Sequence, residues 1–176
     1  MVAVAAIFQK LPAVLIAHPG VGHDTMASLK GKPILISTDA RATWWLFLKQ
    51  KFGFTDDQIR PYTFNSAPFL ADRNAVQQGY LSSEPYAIEK EAGFKPSTFL
   101  LSDHGWPPYS TTIVCMEETI KRKPRAVAAF VKASMQGWKD YLKGDPSAAN
   151  ALIKKDNRNM SDDRIAVGIK LMNEAG

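Results

Sequence analysis

The chain has 176 residues, enough for one ordinary domain or two small lobes, and its 45% apolar and 22% charged residues exclude a disordered chain. The net charge of +5 is dispersed: only Lys121-Arg122-Lys123 and Lys154-Lys155 are adjacent, runs that read as solvated helix ends and exclude a continuous track for nucleic acid. The single cysteine, Cys115 within Ile113-Val114-Cys115-Met116, excludes an internal disulfide and a thiolate metal cluster, and reads as a small buried residue.

Met1 to Phe8 is apolar but lacks a basic leading segment, and Lys10 and Pro12 interrupt it far short of a membrane span. It therefore reads as a strand entering a core, with no signal peptide. Val2 to Phe8 and Ala13 to Ala17 resemble one strand continuing through a bend at Gln9 to Pro12, and His18 to Asp24 reads as loop. Ser28 to Asp39 then forms a charged turn, a short apolar strand over Pro33 to Ser37 and a polar crest opening a helix. Ala42 to Phe52 has helical spacing of Trp44, Trp45, Phe47, Leu48 and Phe52, and Gly53 ends it. The two tryptophans read as core.

The pattern repeats. Thr55-Asp56-Asp57 caps a turn, Pro61 to Phe64 is the next expected strand, and Asn65-Ser66 opens a helix expected to run to Gln78. Tyr80 to Ser83 is a further expected strand, Glu84 to Ala92 a helix closed by Gly93, and Phe99 to Leu101 another strand. Strands alternating with short helices predict an α/β fold with a largely parallel sheet. Beyond Asp103, His104 to Tyr109 is a rigid connector, Ser110 to Met116 a β-branched strand, and the remainder reads as helix. Pro124, Asp145-Pro146 and Ser161-Asp162-Asp163 mark the helix starts.

The chemistry-bearing residues fall just after the expected strand ends: Ser37, Thr38, Asp39 and Thr43; then Asn65 and Ser66; then Ser82, Ser83, Glu84 and Tyr86; then Asp103, Trp106 and Tyr109. In an open parallel sheet such ends converge on one crevice, which marks them as candidate ligand contacts. Ser37 to Asp39 and Asn65-Ser66 read equally as helix caps, and Glu84 as a first-turn carboxylate stabilised by the helix dipole. Trp106 and Tyr109, stiffened by Pro107 and Pro108, either stack on a flat ligand or seal a hinge. His18, His23 and His104 lack the spacing of a metal site, and no nucleophile, phosphate-loop or dinucleotide motif is present. The chain thus reads as a binder with no catalytic residues, no metal and no cofactor.

Phe8-Gln9-Lys10-Leu11-Pro12, Ser28-Leu29-Lys30-Gly31-Lys32-Pro33-Ile34, Gln78-Gly79-Tyr80 with Glu84-Pro85-Tyr86, Gly105-Trp106-Pro107-Pro108-Tyr109 and Lys123-Pro124-Arg125-Ala126-Val127 through Gly137-Trp138 lie in the order of a known family. The chain resembles the periplasmic solute-binding proteins of ABC importers, in the branch of nitrate, sulfonate, taurine and thiamine-pyrimidine-precursor binders. The resemblance implies a periplasmic-binding-protein-like α/β fold in which residues 19–109 form a complete second lobe with its hinge connector. Residues 1–18 and 110–176 form a partial, helix-rich first lobe lacking its N-terminal part. It also implies a small polar or heterocyclic ligand in an interlobe cleft, an ABC permease as membrane partner, a periplasmic or membrane-associated extracytoplasmic location, and no nucleic acid. The incomplete first lobe predicts an exposed surface through which homodimers form. Two other functions stay open: an enzyme of pyrimidine-precursor synthesis on the same fold, and a ligand-sensing module outside transport.

Overall fold

The structure, a computed structural model, describes residues 1–175. In chain order the elements are β1 (Val2–Phe8), β2 (Ala13–Ala17), β3 (Ile34–Ile36), α1 (Thr38–Ala42), α2 (Trp45–Phe52), β4 (Ile59–Pro61), α3 (Ala67–Ala71) and β5 (Val76–Tyr80). There follow α4 (Glu84–Ala92), β6 (Ser97–Leu100), β7 (Ser110–Cys115), α5 (Glu117–Arg122), α6 (Pro124–Lys143), α7 (Ser147–Asp156) and α8 (Asp162–Ala175). These divide into two units: residues 1–11 with 108–176, and residues 12–107. The division falls at Pro12, where the sequence suggested a boundary after residue 18, because β2 pairs into the sheet of the second unit.

Residues 12–107 build a five-stranded sheet in the order β4-β3-β5-β2-β6. It is mixed where a largely parallel sheet was expected: β3 runs parallel to β4 and β5, and β2 runs antiparallel to β5 and β6. β2 also departs from the expected bent continuation of β1, for the two strands belong to different sheets. Every residue of β2 is buried, as a central strand covered on both faces requires. On one face Val14, Ile16 and Leu35 pack with Tyr62, Phe69 and Ile88.

Three expected elements move, and one of them is the strand expected over Tyr80 to Ser83, which lies at Val76–Tyr80 with Leu81 to Ser83 forming a turn. The helix opening at Asn65-Ser66 stops at Ala71 instead of running to Gln78, because the Asp72 carboxylate accepts the Asn74 N–H (2.9 Å) in a tight turn and Val76–Tyr80 becomes the central strand β5. The strand expected over Pro61 to Phe64 lies at Ile59–Pro61, and Phe64 with φ 60° turns the chain away. The expected helix to Phe52 is interrupted at Thr43-Trp44. The break lets the adjacent Trp44 and Trp45 both bury, at 5% and 3% exposure, where neighbours on one continuous helix would diverge by 100°.

Residues 1–11 and 108–176 form the antiparallel pair β1-β7 with four helices. Phe8 of β1 meets Trp138 of α6 edge-on at 5.5 Å, and the Asn173 amide of α8 donates to the Leu142 and Ile169 carbonyls. Among the described residues, Ile165 is the one fully buried apolar side chain of this unit, and Cys115 is half-buried where burial was expected.

Candidate functional site

The carboxyl ends of β3, β4, β5 and β6 lie at one end of the five-stranded sheet, since Tyr80 at the end of β5 pairs with Ala13 at the start of β2. Ser37, at the end of β3, caps α1 by accepting the Ala40 N–H at 3.2 Å, and its own N–H donates to Gln78 Oε1. The short α1 thus has its capping position already filled. Thr38, Asp39 and Thr43 are exposed on it, and the Thr43 hydroxyl donates to the Asp39 carbonyl at 2.8 Å.

Next to this, on the face toward α3 and α4, the sheet buries polar groups where apolar ones would pack. Gln77 is fully buried, and its Nε2 donates to Ser66 Oγ at 3.0 Å and lies 3.5 Å from Tyr62 Oη, while its Oε1 has no hydrogen-bond partner. The Ser66 and Glu84 side chains lie near enough to the Tyr62 phenol to act on its proton. Burial, with the Glu84 charge second, pushes its pKa up to about 12. Glu84 also accepts the Tyr80 N–H through Oε2 at 2.8 Å, which fixes its carboxylate at the start of α4.

Gly79 makes this approach possible. A Cβ there would lie 2.6 Å from Ile16 Cδ1 and 3.0 Å from Glu84 Cβ. The result is a phenol, a hydroxyl, two glutamine amides and a carboxylate at the crest of one sheet, able to donate to and accept from a small polar molecule.

The structure gathers Ser37, Ser66 and Glu84 of the sequence candidates around this cluster. Asn65 is exposed and spends its Oδ1 on the Ala67 N–H at 2.9 Å, as a turn former does. Ser82, Ser83 and Tyr86 are half-buried at and just ahead of α4. Asp103 lies in the turn after β6, its N–H bonded to the Leu100 carbonyl, and Trp106 packs against Phe47 with ring centroids 5.4 Å apart. Tyr109 belongs to the other unit, just ahead of β7, and is 66% exposed.

Sequence reasoning missed Tyr62, Gln77 and Gln78. The available signal was the pair Gln77-Gln78 directly before Gly79-Tyr80, polar residues in a segment too short for a helix once Asp72 to Asn74 is read as a turn.

The opposite end of the sheet carries two buried histidines. His18 Nε2 is 2.8 Å from the Phe69 carbonyl, and its ring stacks on Phe69 at 4.3 Å. His23 is 1% exposed with neither ring nitrogen hydrogen bonded; burial first, then Lys32 and His18, lower its pKa. Among the described residues no group of three or more His, Cys, Asp or Glu is placed to hold a metal ion. No described helix is long and apolar enough to cross a membrane.

No curated protein matches the chain. A family model described as "NMT1/THI5 like" matches residues 1–149, most of the length and both units. With that match over a mixed α/β fold, the chain belongs to the NMT1/THI5-like family, a periplasmic-binding-protein family of ABC-importer type with a solute-binding role.

Proposed function

We propose that the crest of residues 12–107 binds a flat, neutral heterocycle of the pyrimidine-precursor class, without chemical change, and that the chain delivers it to an ABC permease on the extracytoplasmic side of a membrane. The observation that carries this reading is the cluster of buried Tyr62 and Gln77 with half-buried Ser66 and Glu84, beside the Gln78–Ser37 contact. Its members include one carboxylate and no cation, a donor and acceptor set that suits ring nitrogens and an exocyclic amine. A sulfonate or nitrate would meet the Glu84 charge, and the anion-binding reading of the crest loses support because Ser37 already caps the five-residue α1.

Calorimetric titration of the full chain with an aminopyrimidine, a sulfonate and nitrate tests this. Saturable heat from the pyrimidine alone is expected. Glu84→Gln, which keeps an acceptor for the Tyr80 N–H, should weaken binding at least about tenfold by removing a charge-assisted bond. Silence from all three compounds, or binding of nitrate in preference, overturns the proposal.

A further inference from the structure

Phe64 is the most exposed large apolar side chain described within residues 12–107, at 78%, and it stands two residues beyond Tyr62. β4 ends at Pro61 and the Tyr62 N–H donates to the Ile36 carbonyl at 3.1 Å, so the segment carrying Phe64 leaves from the carboxyl ends of β3 and β4. An exposed ring alone would need no explanation. This one is held in the left-handed backbone region, φ 60°, and is the one non-glycine residue so held among the described residues of 12–107. A Cβ in that region crowds the following carbonyl, which bulky residues ordinarily avoid. Asn65 comes next, a type that adopts this conformation more readily, yet it serves as a turn former through Oδ1 instead. The strain therefore falls on a ring that contributes little burial, a combination typical of ligand clamps.

The surroundings of the ring point the same way. Its centroid lies 5.3 Å from that of Tyr62 with the planes tilted by 52°. Tyr62 Oη in turn lies 3.5 Å from Nε2 of Gln77, whose buried Oε1 has no hydrogen-bond partner. A buried acceptor left unpaired is costly, and it calls for a donor that the chain does not supply. An exposed aromatic face and an unpaired acceptor, separated by one phenol, suit a flat molecule bearing N–H groups.

We infer, resting on the heterocycle proposed above, that Phe64 stacks on the face of the bound ring and is the residue that selects flat ligands. The left-handed backbone holds its ring beside Tyr62, and the polar cluster then reads the edge of the ligand while Phe64 reads its face.

The test is calorimetric titration of the full chain and of Phe64 variants with an aminopyrimidine and with adenine, a larger flat ring, beside urea unfolding of each variant without ligand. Phe64→Ala should weaken pyrimidine binding about tenfold, as loss of an aromatic stacking partner does, and Phe64→Tyr should leave it unchanged. Phe64→Gly should weaken binding as Phe64→Ala does, yet raise the urea midpoint by relieving the left-handed backbone. Equal pyrimidine affinity in Phe64→Ala and the unaltered chain overturns the role of Phe64 and leaves the proposed ligand standing. Binding of adenine alone, weakened by Phe64→Ala, overturns the pyrimidine class and keeps Phe64. Silence toward both rings overturns both, and a lowered urea midpoint in Phe64→Gly overturns the role of Phe64 by showing that the fold requires its ring.

Discussion

His23 holds a neutral imidazole in a fully buried place, and this gives the second unit a pH limit on the acid side. Its pKa in the fold lies below the ordinary value near 6.5, because burial, Lys32 and His18 oppose the charge more than Asp24 and Asp72 favour it. A lowered pKa stabilises the fold above the unfolded value, and that stability is lost as pH falls through the folded value. Urea midpoints followed by tryptophan fluorescence should therefore fall as pH drops below about 6.5, and His23→Leu should flatten that limb. Tyr62 sets the opposite limit. With its pKa pushed up to about 12, the neutral phenol stabilises the fold fully below the unfolded value of 10.0, and the contribution disappears between those two values. Tyr62→Phe should remove this part of the alkaline loss, of order 2 kcal/mol, in urea titrations over that interval.

At the scale of elements, the crest depends on how tightly α4 is drawn onto β5. Gly79→Ala would press a methyl against Ile16 and Glu84, and is expected to cost about 1–3 kcal/mol in chemical denaturation. Ser37→Ala removes the cap of α1 and should cost about 1 kcal/mol by the same measurement. Helices with strong local signals were legible in sequence: Gly53 ends α2, Pro124 opens α6, and Glu84 opens α4 ahead of Gly93. β5 was not, because Gln77 and Gln78 have good helix propensity and their strand state is imposed by pairing on both sides with β3 and β2. The candidate site inherits that limit. Ser37, Ser66 and Glu84 announce themselves as polar residues after strands, whereas Tyr62 and Gln77 enter through burial that no local pattern encodes.

At the scale of the molecule, the two units differ in how much core they hold. The large buried side chains, from Val14 to Leu101, belong almost entirely to residues 12–107, and the other unit contributes Ile165. Amide exchange should therefore be fast through α5, α6 and α7 and slow in β2 and β5, and heating should melt the chain in two steps rather than one. A single sharp calorimetric transition with uniform protection would contradict this. The family order was legible across nearly the whole chain because its motifs sit at turns and helix starts, where residue identity is tied to backbone shape.

The pairing of β1 with β7 also dictates an order of events. Phe8 and Ser110 are register partners with all of residues 12–107 between them, and closing a flexible loop of roughly that size costs about 4 kcal/mol of chain entropy. Once residues 12–107 have folded, much of that cost is already met, and the Leu11 N–H reaches the Pro108 carbonyl at 3.0 Å. On a ribosome β1 must therefore wait for β7 until that strand has been synthesised and the insert between them has closed.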